Sequence, residues 1–291
     1  MKSKTYSEFL TVGLIQTTLN RYIAWENENS CSIDDLEGER VWEEVIKGMK
    51  SLQKDENQPV IIVLPELTIP QKYIHKLCKL TNSTNSVIIA GLEYNVNEAD
   101  KTVLNEVIVA YPEKWPRNFG YGCKKIILGK YHYARIEEKE LKDRGYTVKR
   151  NPNIYVFDAD KFGRIGVAIC ADFFDIERFV IYKGKIQHLF IIAYNKDVSA
   201  FYFLAEAISR LVFCNVIICN TGYFGGSIVF SPYNEHFRRY LYKHEGSTLF
   251  TTQSVNIPVR SLVIAQKNDD ENYKLGKDRF KYKPPGYELT I

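Results

Sequence analysis

The 291-residue sequence predicts a single layered α/β domain, on three observations. Short apolar runs read as buried strands, and between them lie segments whose apolar residues follow helical spacing. No Pro/Gly/Ser-rich linker interrupts the middle of the chain, and no period of about 20 to 50 residues repeats.

Taken in order, residues 11–16 form the first strand run. Val41, Val45, Ile46, Met49 and Leu52 then mark one face of a helix. Residues 60–64 make a second run, ended by Pro65 and the carboxylate of Glu66. Ile74, Leu77 and Leu80 mark a second helix, and strand runs follow at 87–92, 103–110, 154–157 and 165–169. The last of these stops at Cys170, with acids beyond it able to start a helix. Residues 189–193 are a strand, 199–213 a helix with Leu204, Ile208 and Leu211 on one face, and 216–219 and 228–230 two more strands. Asp269-Asp-Glu-Asn272 and Pro284-Pro285 are polar and turn-forming, which predicts a surface arm over 264–291 after a domain over 1–263. Period and spacing suit one doubly wound sheet as well as two stacked ones.

Composition removes several function classes. An apolar fraction of 45% is ordinary for a globular chain, and a net charge of +4 is too small to imply nucleic-acid binding. A local excess of bases among aromatics at 274–285 could touch nucleic acid or another acidic partner, although a solvated extension is the favoured reading. No run of about 18 uncharged apolar residues exists, so no membrane span is expected. The first residues lack a signal-peptide core, which reads as a cytoplasmic protein. Six cysteines without a C-x-x-C pair indicate free thiols, with neither a zinc site nor a disulfide framework. No phosphate loop, G-x-S-x-G elbow or H-E-x-x-H is present, and no metal or cofactor is expected.

Cys170 carries the most chemistry. A thiol between a strand and a helix start would have its pKa lowered by the helix N-terminus, whose free N–H groups would face an oxyanion beside the sulfur. A strand-end cysteine is more often a small core residue, so other segments must decide. Glu66 projects from the end of a buried run, and Lys130 lies shortly before the acids Glu137 and Glu138, with Lys124 and Lys125 as rivals.

Glu66, Lys130 and Cys170, in that order, resemble the catalytic set of the carbon-nitrogen hydrolases, the nitrilase superfamily, over about 11–263. Val12-Gly-Leu-Ile-Gln16 resembles the family's first strand, Ile88-Ile-Ala-Gly-Leu-Glu93 a later one, and Asn105 the Asn of the next. Cys170-Ala-Asp172 is similar to its Cys-Tyr-Asp; Asn220-Thr-Gly222, Gly226-Ser227 and Ser231-Pro232 are similar to its closing motif. The resemblance implies a four-layer αββα sandwich and a Cys thioester mechanism on a small-molecule amide or N-carbamoyl compound, since a nitrile-cleaving member would show Cys-Trp-Glu. It selects Lys130 through Lys130-x-His132, gives Ala171 N–H a share of the oxyanion, and makes Glu137, in preference to Glu138, the acid that positions the lysine. Asp172 is expected to cap the following helix. Phe173, Phe174, Ile176, Phe179 and Val180 crowd the segment after Cys170, where family members form a two-fold homodimer.

The chain also departs from the pattern. Tyr194-Asn195-Lys196 stands where Pro-Ala is usual and supplies candidate substrate contacts, Lys196 for an acidic group. The Arg-Ala…Glu-Asn helix is replaced by residues 205–215. An alternative reading is therefore a nitrilase-like binding or assembly module with little turnover, working with a partner enzyme, for example in a phage-defence system.

Overall fold

A computed structural model describes residues 5–27, 30–116, 122–268 and 280–290. The first half contains β1 (Phe9–Gln16), α1 (Arg21–Ala24), α2 (Asp35–Leu52), β2 (Ile61–Val63), α3 (Ile74–Thr84), β3 (Val87–Gly91), β4 (Asn95–Asn97), β5 (Thr102–Leu104), β6 (Glu106–Pro112), β7 (Cys123–Gly129) and α4 (Arg135–Asp143). The second contains β8 (Thr147–Val148), β9 (Val156–Asp158), β10 (Arg164–Ile169), α5 (Ile176–Tyr182), β11 (His188–Ala193), α6 (Val198–Ile208), β12 (Asn215–Asn220), β13 (Ile228–Phe230), α7 (His236–Arg239), β14 (Tyr240–Lys243), β15 (Thr251–Pro258) and α8 (Arg260–Lys267).

Two six-stranded sheets result, ordered β15-β1-β2-β3-β6-β7 and β14-β13-β12-β11-β10-β9, with β4-β5-β8 as a small third sheet. Parallel trios lie in both large sheets, β1-β2-β3 and β10-β11-β12, with antiparallel strands outside them. Alternation along each strand explains the stacking. Val12, Leu14, Ile61, Val63 and Ile89 of the first sheet meet Val167, Ile169, Phe190, Ile192 and Ile217 of the second in one apolar layer. Their neighbours point the other way: Ile62, Ile88 and Ala90 pack with Val45, Met49 and Leu77 of α2 and α3, whereas Ala168, Ile191 and Ile218 pack with Phe179 and Phe201 of α5 and α6. Strands buried on both faces read as continuous apolar runs, and the fold is the four-layer αββα sandwich rather than one doubly wound sheet.

Three expectations change. The run at 103–110 is two strands, broken at buried Asn105. The helix at 199–213 is α6 followed by a wider π turn over Ser209–Phe213. No α-helix starts at Cys170: one 3₁₀ turn spans Cys170–Phe174, and α5 begins afterwards under Asp175, which accepts from the Glu177 and Arg178 N–H groups. At the end of the chain, Phe280 stacks on Tyr233 at 4.7 Å and Arg164 donates to the Thr290 carbonyl at 2.9 Å. Residues 269–279, with the first half of the basic aromatic stretch, lie outside the described residues. Among the described residues no helix is long and apolar enough to cross a membrane.

Candidate active site

Glu66 follows β2 and is 2% exposed. Its placement needs a glycine on the next strand, because a Cβ at Gly91 would sit 2.4 Å from Glu66 Cα. Lys130 leaves the end of β7 at 1% exposure, and its Nζ lies 2.7 Å from Glu66 Oε1 and 2.6 Å from Glu137 Oε2. Glu137 occupies the first turn of α4, while its neighbour Glu138 turns outward to Arg150 at 2.8 Å. Lys124 and Lys125 are exposed, and Lys124 only approaches Glu113, at 3.9 Å.

Cys170 completes the cluster. Its thiol lies beside the Glu66 carboxylate, whose Oε2 accepts the Tyr194 N–H at 2.9 Å. The backbone at Cys170 is left-handed, φ 45°, a conformation rare for a side chain with a Cβ. The expected lowering of its pKa does not occur. Burial, followed by the Glu66 charge, pushes the thiol well above its usual value despite Lys130, and no α-helix N-terminus is at hand to oppose this. Burial likewise pushes Glu66 up, against the pull of Lys130.

Asp172 does not cap a helix. Its Oδ1 accepts the backbone N–H groups of His132, at 2.8 Å, and Tyr131, at 3.2 Å, and Arg178 stands 3.5 Å away. The Cys170 turn is thus tied to the two residues after Lys130. Asp172 lies inside the turn, and α5 is capped by Asp175, so the Asp172 carboxylate takes the N–H groups of the neighbouring segment. Ala171 lies within the same turn.

Of the three candidates after β11, Tyr194 alone meets the cluster. Its hydroxyl donates to the Leu19 carbonyl at 2.9 Å, and its ring packs edge-on to Trp25 and Phe224, at 6.0 and 5.3 Å. Asn195 fastens the loop, its N–H donating to Asn220 Oδ1 at 2.9 Å, and Lys196 is exposed outside the buried cluster.

Two site residues were not named as such from sequence. Asn105 Nδ2 donates to Glu66 Oε1 at 2.8 Å and to Glu137 Oε1 at 3.0 Å; a polar residue inside an apolar run was the signal available. Tyr94 OH donates to Glu137 Oε1 at 3.1 Å, and nothing in its local sequence points there. Together these bonds hold two carboxylates and an ammonium dry and fixed beside a thiol, a set able to move a proton and to stabilise an oxyanion.

No protein-family model matches the sequence, and no curated protein matches it. Solved structures do. The chain is similar to Nit3 of Saccharomyces cerevisiae, a member of branch 10 of the nitrilase superfamily, with TM-score 0.63 and 15% identity over 91% of this chain and 95% of that one. It is similar to XC1258 of Xanthomonas campestris, a CN-hydrolase superfamily protein with an arsenic adduct in its active site (TM-score 0.61, 13% identity, 93% of this chain and 100% of the other). It is also similar to an amidase variant from Nesterenkonia sp. AN1 bearing the acetamide moiety of fluoroacetamide on its active-site cysteine (TM-score 0.60, 12% identity, 86% and 90%). At these identities the likeness is one of fold.

Proposed function

We propose that the chain is a carbon-nitrogen hydrolase of the nitrilase superfamily that cleaves a small linear amide or N-carbamoyl compound through a thioester on Cys170. The observation that carries this is the buried contact of Glu66, Lys130 and the Cys170 thiol in one cluster. Neighbours of the same fold include amidases, one with a covalent adduct on its cysteine.

In the first half-reaction the Cys170 sulfur attacks the carbonyl carbon as its proton passes to Glu66. The Lys130 ammonium and the Ala171 N–H stabilise the oxyanion. Collapse breaks the C–N bond, and the departing nitrogen takes the proton from Glu66, leaving the thioester. In the second, Glu66 draws a proton from water, the hydroxide attacks the thioester, and acid and free thiol are released. Glu137 fixes the Lys130 ammonium throughout. The Tyr194 ring packs on Trp25, which in turn packs on Tyr94, an aromatic group beside the cluster that could contact the acyl part of a substrate.

Intact-protein mass spectrometry against an amide library tests the reading: an acyl adduct mapping to Cys170 is expected, and Cys170→Ala should carry none while remaining folded. No adduct and no turnover with any amide would leave the chain as a binding module of this fold acting with a partner enzyme.

A further inference from the structure

The apolar layer between the two sheets opens at one edge. β6 and β7 run for seven residues each, whereas β9, the last strand of the facing sheet, has three, so the cover ends before the surface it faces. A recess of about 490 Å³ remains there, within the range of roughly 300–1,000 Å³ typical of small-molecule sites. Buried Ile89 and Val109 line it from the first sheet with half-buried Ile126, and buried Ile165 and Val167 line it from the second. Water gains no partner from such walls, so an apolar body that displaces it binds favourably. The catalytic cluster is elsewhere: Val167 stands three residues before Cys170 and Ile126 four before Lys130, about 10 and 13 Å along the strands, with the inward side chains of Ile169 and Leu128 intervening.

The part of the lining that meets solvent has a different chemistry. Trp115, stacked on Phe162 at 6.0 Å, and Phe157, stacked on Tyr155 at 6.1 Å, place aromatic rings there. Among the described residues that line the recess, the charged ones are Asp158, exposed at the end of β9, and Asp160, half-buried in the turn after it. Lys124, two residues before Ile126 on β7, approaches Glu113 at 3.9 Å and does not line the space. Aromatic faces and carboxylates beside an apolar recess are complementary to an organic cation with an apolar body. We propose that this recess binds a small amphiphilic ammonium compound, its apolar part between the sheets and its charged nitrogen at Asp158 and Asp160. The site is separate from the thioester chemistry and does not depend on it.

Isothermal titration calorimetry of the full chain with octylamine, octanol and octanoate, probes of one shape that differ in charge, tests this. One-to-one binding is expected, tightest for the amine and weakest for the acid. Replacing both carboxylates, Asp158→Asn with Asp160→Asn, removes the charges and keeps the turn: Asp158 Oδ1 accepts the Asp160 N–H at 2.9 Å, as an asparagine oxygen can, and the left-handed backbone at Asp160, φ 52°, suits asparagine. The amine should then bind on the order of tenfold more weakly, with the alcohol little changed. Ile126→Trp, which fills the recess from the edge strand, should remove binding of amine and alcohol alike in a protein that thermal unfolding shows to be folded. Equal affinity for amine and acid, no loss in the asparagine pair, or undiminished binding by folded Ile126→Trp would overturn the proposal, as would the absence of binding with millimolar octylamine.

Discussion

A lysine ammonium with almost no solvent contact persists here because two carboxylates face it. Burial by itself would lower the pKa of Lys130; Glu137 and Glu66 outweigh it and hold the group well above its usual value. Removing the ammonium while keeping a side chain of similar length, Lys130→Met, leaves those carboxylates opposite one another. A loss on the order of 10²-fold in the acylation rate is expected, with about 3–5 kcal/mol of stability lost in urea unfolding. Lys125→Ala, on the exposed face of β7, should be mild in both measurements. The reverse ranking would move the oxyanion role to Lys125. At this scale Glu66, Lys130 and Cys170 were legible because each stands at the end of an apolar run or inside a motif. The choice between Glu137 and Glu138 depended on the rotation of α4, which two adjacent acids do not reveal. Asp172 was misread because a helix start was expected where the chain makes a 3₁₀ turn.

Among elements, most strands read from sequence are buried on both faces, although β9, read at 154–157, is an exposed edge. Of the strands passed over, β7, β14 and β15 are sheet edges. Edge strands carry polar residues on the side that meets water, as in Thr251-Thr-Gln-Ser-Val-Asn-Ile-Pro258 and the Lys124-Lys125 pair, so no apolar run announces them. The long antiparallel match of β15 to β1, from Phe9↔Pro258 to Gln16↔Thr251, is a pairing between distant parts of the chain that local pattern cannot encode. One inter-element contact has a measurable role. Asp172 joins the Cys170 turn to the segment leaving β7, so Asp172→Ala should let Lys130 shift relative to the sulfur. The expected result is a fall in kcat on the order of 10²-fold, with KM little changed and partial recovery in Asp172→Asn, which retains an acceptor oxygen. An unchanged kcat would mean that the packing of β7 alone positions the lysine.

The whole molecule leaves an apolar face uncovered beyond the second sheet. Ile176 and Val180 on α5 are 78% and 68% exposed, and Phe203 on α6 is 76% exposed, although Phe179 and Tyr182 of the same region are buried. Side chains of this kind grouped on one side of a folded domain favour association. A two-fold homodimer through this face is the expected assembly, and light scattering at micromolar concentration checks it: the parent should be dimeric, and Ile176→Glu combined with Val180→Glu monomeric. A monomeric parent would remove the interface from the proposal. Stability of the molecule as a whole also bears on the left-handed backbone at Cys170. That conformation suits glycine, so Cys170→Gly should be about 1 kcal/mol more stable than Cys170→Ala in denaturant unfolding. Directed evolution for heat resistance, run without an activity screen, would therefore be free to accumulate glycine at this position and deliver a hardier protein without the thiol on which the proposed chemistry depends.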